Sequence, residues 1–116
     1  MKKLFTLLAL TLSFSMNAQM DDNSASSNSA GTYSIAMGAG TSASGIASTA
    51  MGLATTASGN NSIATGLSTT ASGSASTAMG FAAIASGNRS TAMGIYTKAS
   101  DYGSLVIGPS LTHLHP

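Results

Sequence analysis

The 116-residue chain contains no cysteine. Disulfide staples and thiolate metal sites are therefore excluded, as is lipid attachment through a cysteine behind a leader. Charge is almost as scarce, with Asp, Glu, Lys and Arg making up 6% of the residues. Two of the four cations, Lys2 and Lys3, stand at the extreme N-terminus. Without them, Arg89 and Lys98 are set against Asp21, Asp22 and Asp101. No basic stripe is left to follow a phosphate backbone, so nucleic acid is not an expected partner. The most apolar stretch, Leu4 to Phe14, is broken by Thr6, Thr11 and Ser13. It falls short of the ~20 residues a membrane-spanning helix needs.

Catalytic groups are equally thin. Two of the three acids are adjacent, and both histidines, His113 and His115, fall in the last few residues. Serine is plentiful, but within the coils it recurs at repeat positions with no base beside it, so a nucleophile would go unactivated. Gly38-x-Gly40 is followed by no helical pattern and does not read as a nucleotide loop. His113-x-His115 reads as a solvated tail before it reads as a metal site. The chain is not expected to be an enzyme, and no catalytic, cofactor-binding or metal residue is assigned.

What the sequence does contain is Ala, Ser, Thr and Gly in a strict order, behind a leader. Lys2 and Lys3 precede the apolar stretch, and Ser15-Met16-Asn17-Ala18 offers small residues for cleavage. Residues 1–18 are therefore expected to be a signal peptide that directs export. Residues 19–29, rich in Ser and Asn and carrying Asp21 and Asp22, read as a disordered linker.

From there the glycines fall on a grid. Gly38, Gly52, Gly66, Gly80, Gly94 and Gly108 are each 14 residues apart, and Gly45, Gly59, Gly73 and Gly87 fall midway, with Gly31 in step before them. Asp101 takes the one midway slot that lacks glycine. The coils run 34–47, 48–61, 62–75, 76–89 and 90–103, and a sixth opens at Ser104. Each opens with Ser. The third position is Ala36, Ala50, Ala64, Ala78 and Ala92, then Val106. Ala-Ser fills the tenth and eleventh positions, from Ala43-Ser44 to Ala99-Ser100.

A heptad coiled coil is excluded, because glycine at every seventh position costs about 1 kcal/mol each relative to alanine in a helix. Apolar residues alternate within each half-coil, which is strand periodicity. The spacing predicts a strand, a glycine bend, a shorter strand and a second glycine bend in each turn, with the glycines supplying positive φ at the bends. Successive turns stack at about 4.7–4.9 Å with parallel pairing. The fold class is all-β, a β-solenoid over residues 30–108.

So thin a coil has room inside only for small side chains, which accounts for the alanines at the third and tenth positions. The second position (Ile35, Thr49, Ile63, Thr77, Thr91, Leu105) and the fourth (Met37, Met51, Thr65, Met79, Met93, Ile107) must then face outward. Leu53, Leu67, Phe81 and Ile95 add a third row at the sixth position. A continuous apolar stripe of this kind marks an interface. Ile35, Met37, Met51, Ile63, Met79, Met93, Leu105 and Ile107 are the expected contacts of a homo-oligomer. The alternative packs the methionines inside a roomier monomer, and Met suits either setting.

The unit Ser-Ile-Ala-Met-Gly-Ala-Gly-Thr-Ser-Ala-Ser-Gly, residues 34–45, resembles the YadA-like head repeat of trimeric autotransporter adhesins, also known as the haemagglutinin-type 14-residue repeat. The likeness covers roughly residues 29–108. It implies a left-handed parallel β-roll, a homotrimer, display at the outer membrane or in the extracellular space, and attachment to extracellular matrix, cells or surfaces. Such adhesins end in a membrane anchor to which three chains contribute strands. The tail, residues 109–116, matches neither that anchor, a stalk nor the repeat, and reads as aberrant or truncated.

Two other readings use the same rod. One is a structural spacer with no ligand. The other is a monomeric ice-binding solenoid, suggested by the row Thr41, Thr55, Thr69 and Thr97 with Thr56 and Thr70 beside it, although Ala83, Ile84 and Lys98 interrupt it. Asn60 and Asn88 begin glycosylation sequons, but asparagine at a coil corner is the simpler reading. Arg89 and Lys98 read as solubilising charge.

Overall fold

A computed structural model describes residues 2–3 and 28–109. Most of the expected signal peptide and linker, and the tail from residue 110, lie outside the described residues. Each coil contributes a long and a short strand. The long strands are β2 (Ile35–Ala39), β4 (Thr49–Leu53), β6 (Ile63–Leu67), β8 (Thr77–Phe81), β10 (Thr91–Ile95) and β12 (Leu105–Ile107). The short ones are β1 (Asn28–Ser29), β3 (Ser42–Ala43), β5 (Thr56–Ala57), β7 (Thr70–Ala71), β9 (Ile84–Ala85) and β11 (Lys98–Ala99). They form two six-stranded parallel sheets, one of all the long strands and one of all the short. Every pairing joins residues 14 apart, as Met37 with Met51 and Ala43 with Ala57. The chain is a β-solenoid, as the glycine grid predicts.

The ordered stack starts earlier than the linker reading allowed. Asn28 and Ser29 pair with Ser42 and Ala43, and the Ser29 hydroxyl donates to the Ser34 carbonyl at 2.7 Å. Backbone pairing to the next coil outweighs the polar composition that suggested disorder at these two residues.

The interior holds the two alanine rows, Ala36 to Ala92 and Ala43 to Ala99, all at most 1% exposed. It also holds two rows of hydroxyls. Ser48, Ser62, Ser76 and Ser90 open their coils facing inward, and Thr41, Thr55, Thr69 and Thr97 line the opposite bend, none more than 2% exposed. The threonine row that suggested an ice-binding surface is thus part of the core, and that reading fails. Ala83 interrupts the row from within and is itself fully buried. Hydroxyls tolerate this burial where they find a local carbonyl: Ser48 donates to Gly45 at 2.7 Å, Ser90 to Gly87 at 2.6 Å and Thr41 to Gly38 at 3.2 Å. The hydroxyls of Thr55, Ser62, Thr69, Ser76, Thr97 and Ser104 are buried without a partner.

The glycines do a different job from the one the spacing suggests. Gly38, Gly52, Gly66, Gly80 and Gly94 lie within the long strands, at φ of +116° to +124°. Gly45, Gly59, Gly73 and Gly87 do open turns, yet none has positive φ. What both series share is contact with the coil above. A Cβ at Gly59 would lie 2.0 Å from the Gly73 carbonyl oxygen, and one at Gly52 would lie 2.1 Å from that of Gly66. The left-handed residues of the bends are mostly not glycine: Ala47, Asn61, Ala75 and Arg89 at one bend, Ala54, Ser68, Ala82 and Tyr96 at the other, with φ of +53° to +59°. Each turns its N–H along the rod into a coil-to-coil hydrogen bond, as Ala54 to Ala39 at 2.8 Å and Asn61 to Ile46 at 2.7 Å. That bond offsets the roughly 1–2 kcal/mol a side chain costs in the left-handed region.

Candidate functional site: the outward face of the long sheet

Alternation along each long strand settles which side chains face out. With the third position buried, the second and fourth lie on the outer surface. Parallel in-register pairing then converts positions into rows. One row runs Ile35, Thr49, Ile63, Thr77, Thr91, Leu105, and beside it runs Met37, Met51, Thr65, Met79, Met93, Ile107. A third runs Ala39, Leu53, Leu67, Phe81, Ile95.

These side chains are half-buried or exposed in the single chain. Met51 and Met79 are 39% and 38% exposed, Ile63 42%, and Leu105 and Ile107 over 60%. Ile35, Met37 and Met93 are half-buried. No methionine of the fourth position lies in the core, so the roomier-monomer arrangement does not occur. Among the described residues the largest fully buried side chain is threonine. All eight expected contact residues stand on one sheet surface.

Other surface features escaped the sequence reading. Phe81 and Tyr96 pack edge to face, with ring centroids 5.3 Å apart and planes at 82°. The Arg89 guanidinium lies over the Tyr102 ring, 5.4 Å from its centroid, and also donates to the Tyr102 hydroxyl. Both pairs join side chains about one coil apart, and repeat spacing carries no sign of which adjacent residues will touch. Asn60 and Asn88 do sit at coil corners: their side-chain oxygens accept the backbone N–H of Ile46 at 3.0 Å and of Ser74 at 2.9 Å. Lys98 is exposed on the short sheet, away from Arg89 in the preceding turn.

The surface offers little reactive chemistry. Among the described residues no three His, Cys, Asp or Glu side chains come together as metal ligands would. No helix among them is long and apolar enough to cross a membrane. What the long sheet presents is area: flat, repetitive and apolar.

No curated protein and no solved structure matches the chain. The family model of the YadA head domain repeat does, over residues 25–41, 43–69, 71–97 and 85–110. Those segments take in all the long strands and at least part of every short one, leaving out only Ser42 and Thr70 among the strand residues. The chain belongs to the YadA head repeat family.

Proposed function

We infer that the protein is the head of a homotrimeric, surface-displayed bacterial adhesin. The observation that carries this reading is the outward apolar face of the long sheet on a rod whose own core holds nothing larger than threonine. Fully covering an exposed Met, Ile or Leu contributes about 1.5–3 kcal/mol, and these half-covered side chains have about half of that still to gain. An alanine-filled coil gains far less inside itself, while ordering each residue costs about 1–2 kcal/mol. Three long sheets facing a common axis would bury Ile35, Met37, Met51, Ile63, Met79, Met93, Leu105 and Ile107 together.

Adhesion fits the surface that would remain outside. Short strands and corners repeat along a stiff rod, and three copies multiply each shallow contact. Avidity then takes the place of a deep pocket. Extracellular matrix or another cell surface is the expected partner, and export by the N-terminal leader places the rod there. The test is attachment of a deletion strain to matrix-coated, cellular and abiotic surfaces, with complementation by the intact gene. Lost and restored attachment supports the adhesin. Unchanged attachment on all of them favours a spacer without ligand.

A further inference from the structure

We propose, resting on the homotrimeric reading above, that Ile63 and Thr65 are a knob and a notch that set the register of each chain against the next. In β4, β8 and β10 the second position of the coil is threonine and the fourth is methionine: Thr49 and Met51, Thr77 and Met79, Thr91 and Met93. β6 reverses the order, with Ile63 first and Thr65 after it. In-register pairing carries that reversal onto the outer surface. Ile63 lies between Thr49 and Thr77 in one row, and Thr65 lies between Met51 and Met79 in the other. Ile63 is 42% exposed between two half-buried threonines, while Thr65 is half-buried between methionines 39% and 38% exposed. A projection in one row therefore stands beside a recess in the other, at the same height on the rod.

Identical chains closed around a three-fold axis meet through a heterologous contact, one side of the face on each chain against the other side on the next. The second-position row of one chain then faces the fourth-position row of its neighbour. With the chains level, each coil from β4 to β10 sets a small side chain against a large one: Thr49 against Met51, Ile63 against Thr65, Thr77 against Met79 and Thr91 against Met93. Large against small is how facing layers interdigitate. A chain displaced by one coil, about 4.8 Å, breaks the pattern in either direction. Moved one way, Ile63 meets Met79 and Thr49 meets Thr65. Moved the other way, Ile63 meets Met51 and Thr77 meets Thr65. Each slip creates one overpacked contact and one void. Ile35 with Met37 and Leu105 with Ile107 put large side chains in both rows, so β2 and β12 do not favour one register over another. Without the reversal in β6, the four coils between them would be alike in both rows, and this stretch would slide freely.

The test begins with melting temperatures of the whole chain, with circular dichroism and sedimentation equilibrium following fold and mass. Thr65→Met continues the methionine row, and a plain apolar stripe would gain from it. Against Ile63 it is expected instead to lower the melting temperature by about 5 °C or more. Ile63→Thr leaves the notch empty and is expected to lower it by about as much. The double variant restores small against large and is expected to melt within about 3 °C of wild type. Register is read with introduced cysteines, which are unique in a chain that has none. Chains carrying Met93→Cys are refolded with chains carrying Thr91→Cys, which reports level chains, or Thr77→Cys, which reports a slip of one coil. In the wild-type background the first disulfide is expected to exceed the second by at least about tenfold. In the Ile63→Thr, Thr65→Met background the two are expected to become comparable. A trimer that Thr65→Met stabilises, or one whose disulfide ratio is the same in both backgrounds, would overturn the register pair and leave the trimer standing. A folded single chain would overturn both.

Discussion

At the scale of the residue, what decides the fold is where a side chain is impossible. Gly59→Ala brings a Cβ to 2.0 Å from the Gly73 oxygen, and backbone on both sides has no rotamer to give. A loss of about 3 kcal/mol or more is expected from thermal or denaturant unfolding, against about 1 kcal/mol for Gly103→Ala, which has open space and only its φ of +68° to oppose it. The buried hydroxyls divide in a similar way. Thr69→Val removes an unpartnered hydroxyl at constant shape, and is expected to be neutral or stabilising by up to about 1 kcal/mol. Ser48→Ala breaks a bond of 2.7 Å to Gly45, and is expected to cost about 1 kcal/mol. Denaturation midpoints of the two variants check the contrast. These distinctions were closed to sequence reading. A periodic glycine reports that a side chain is excluded, but positive φ and a crowding neighbour leave the same letter. Threonine looks polar in sequence, yet Thr55, Thr69 and Thr97 lie in the core with hydroxyls that have no partner. Ala54, Ser68 and Tyr96 share no side-chain property that would announce a left-handed backbone; the stacking bond imposes it.

At the scale of the element, the period itself was legible. Alanine at the third and tenth positions, with apolar residues alternating around the third, located both sheets and the buried side of each. The boundary at Asn28 was not, since a short first strand is held by its partner β3 and its own composition is that of a linker. Because each coil contacts only its neighbours, the stack behaves as a sum of like units. Excising Ser62–Ala75, one full coil, is expected to leave a folded, shorter and less stable solenoid. Excising residues 62–68 sets a short strand against a long one and is expected to abolish the fold. Far-ultraviolet circular dichroism and a melting curve distinguish the two outcomes.

At the scale of the whole molecule, the long sheet's outer rows are the surface through which assembly is proposed. The outward placement of the eight residues followed from alternation alone, while the aromatic pairs Phe81–Tyr96 and Arg89–Tyr102 depended on geometry across coils. Met79→Asp places a carboxylate in the middle of the outward row, where the single chain leaves methionine 38% exposed. In an isolated coil such a change is nearly neutral, within about 0.5 kcal/mol. On a shared axis it buries charge without a partner, so the variant is expected to dissociate and unfold at a temperature where wild type is intact. The most direct test of the account is the mass of the folded wild-type rod, by sedimentation equilibrium under native conditions. Three chains per particle, inseparable without loss of β-structure, is the predicted result. A folded, stable single chain would contradict it.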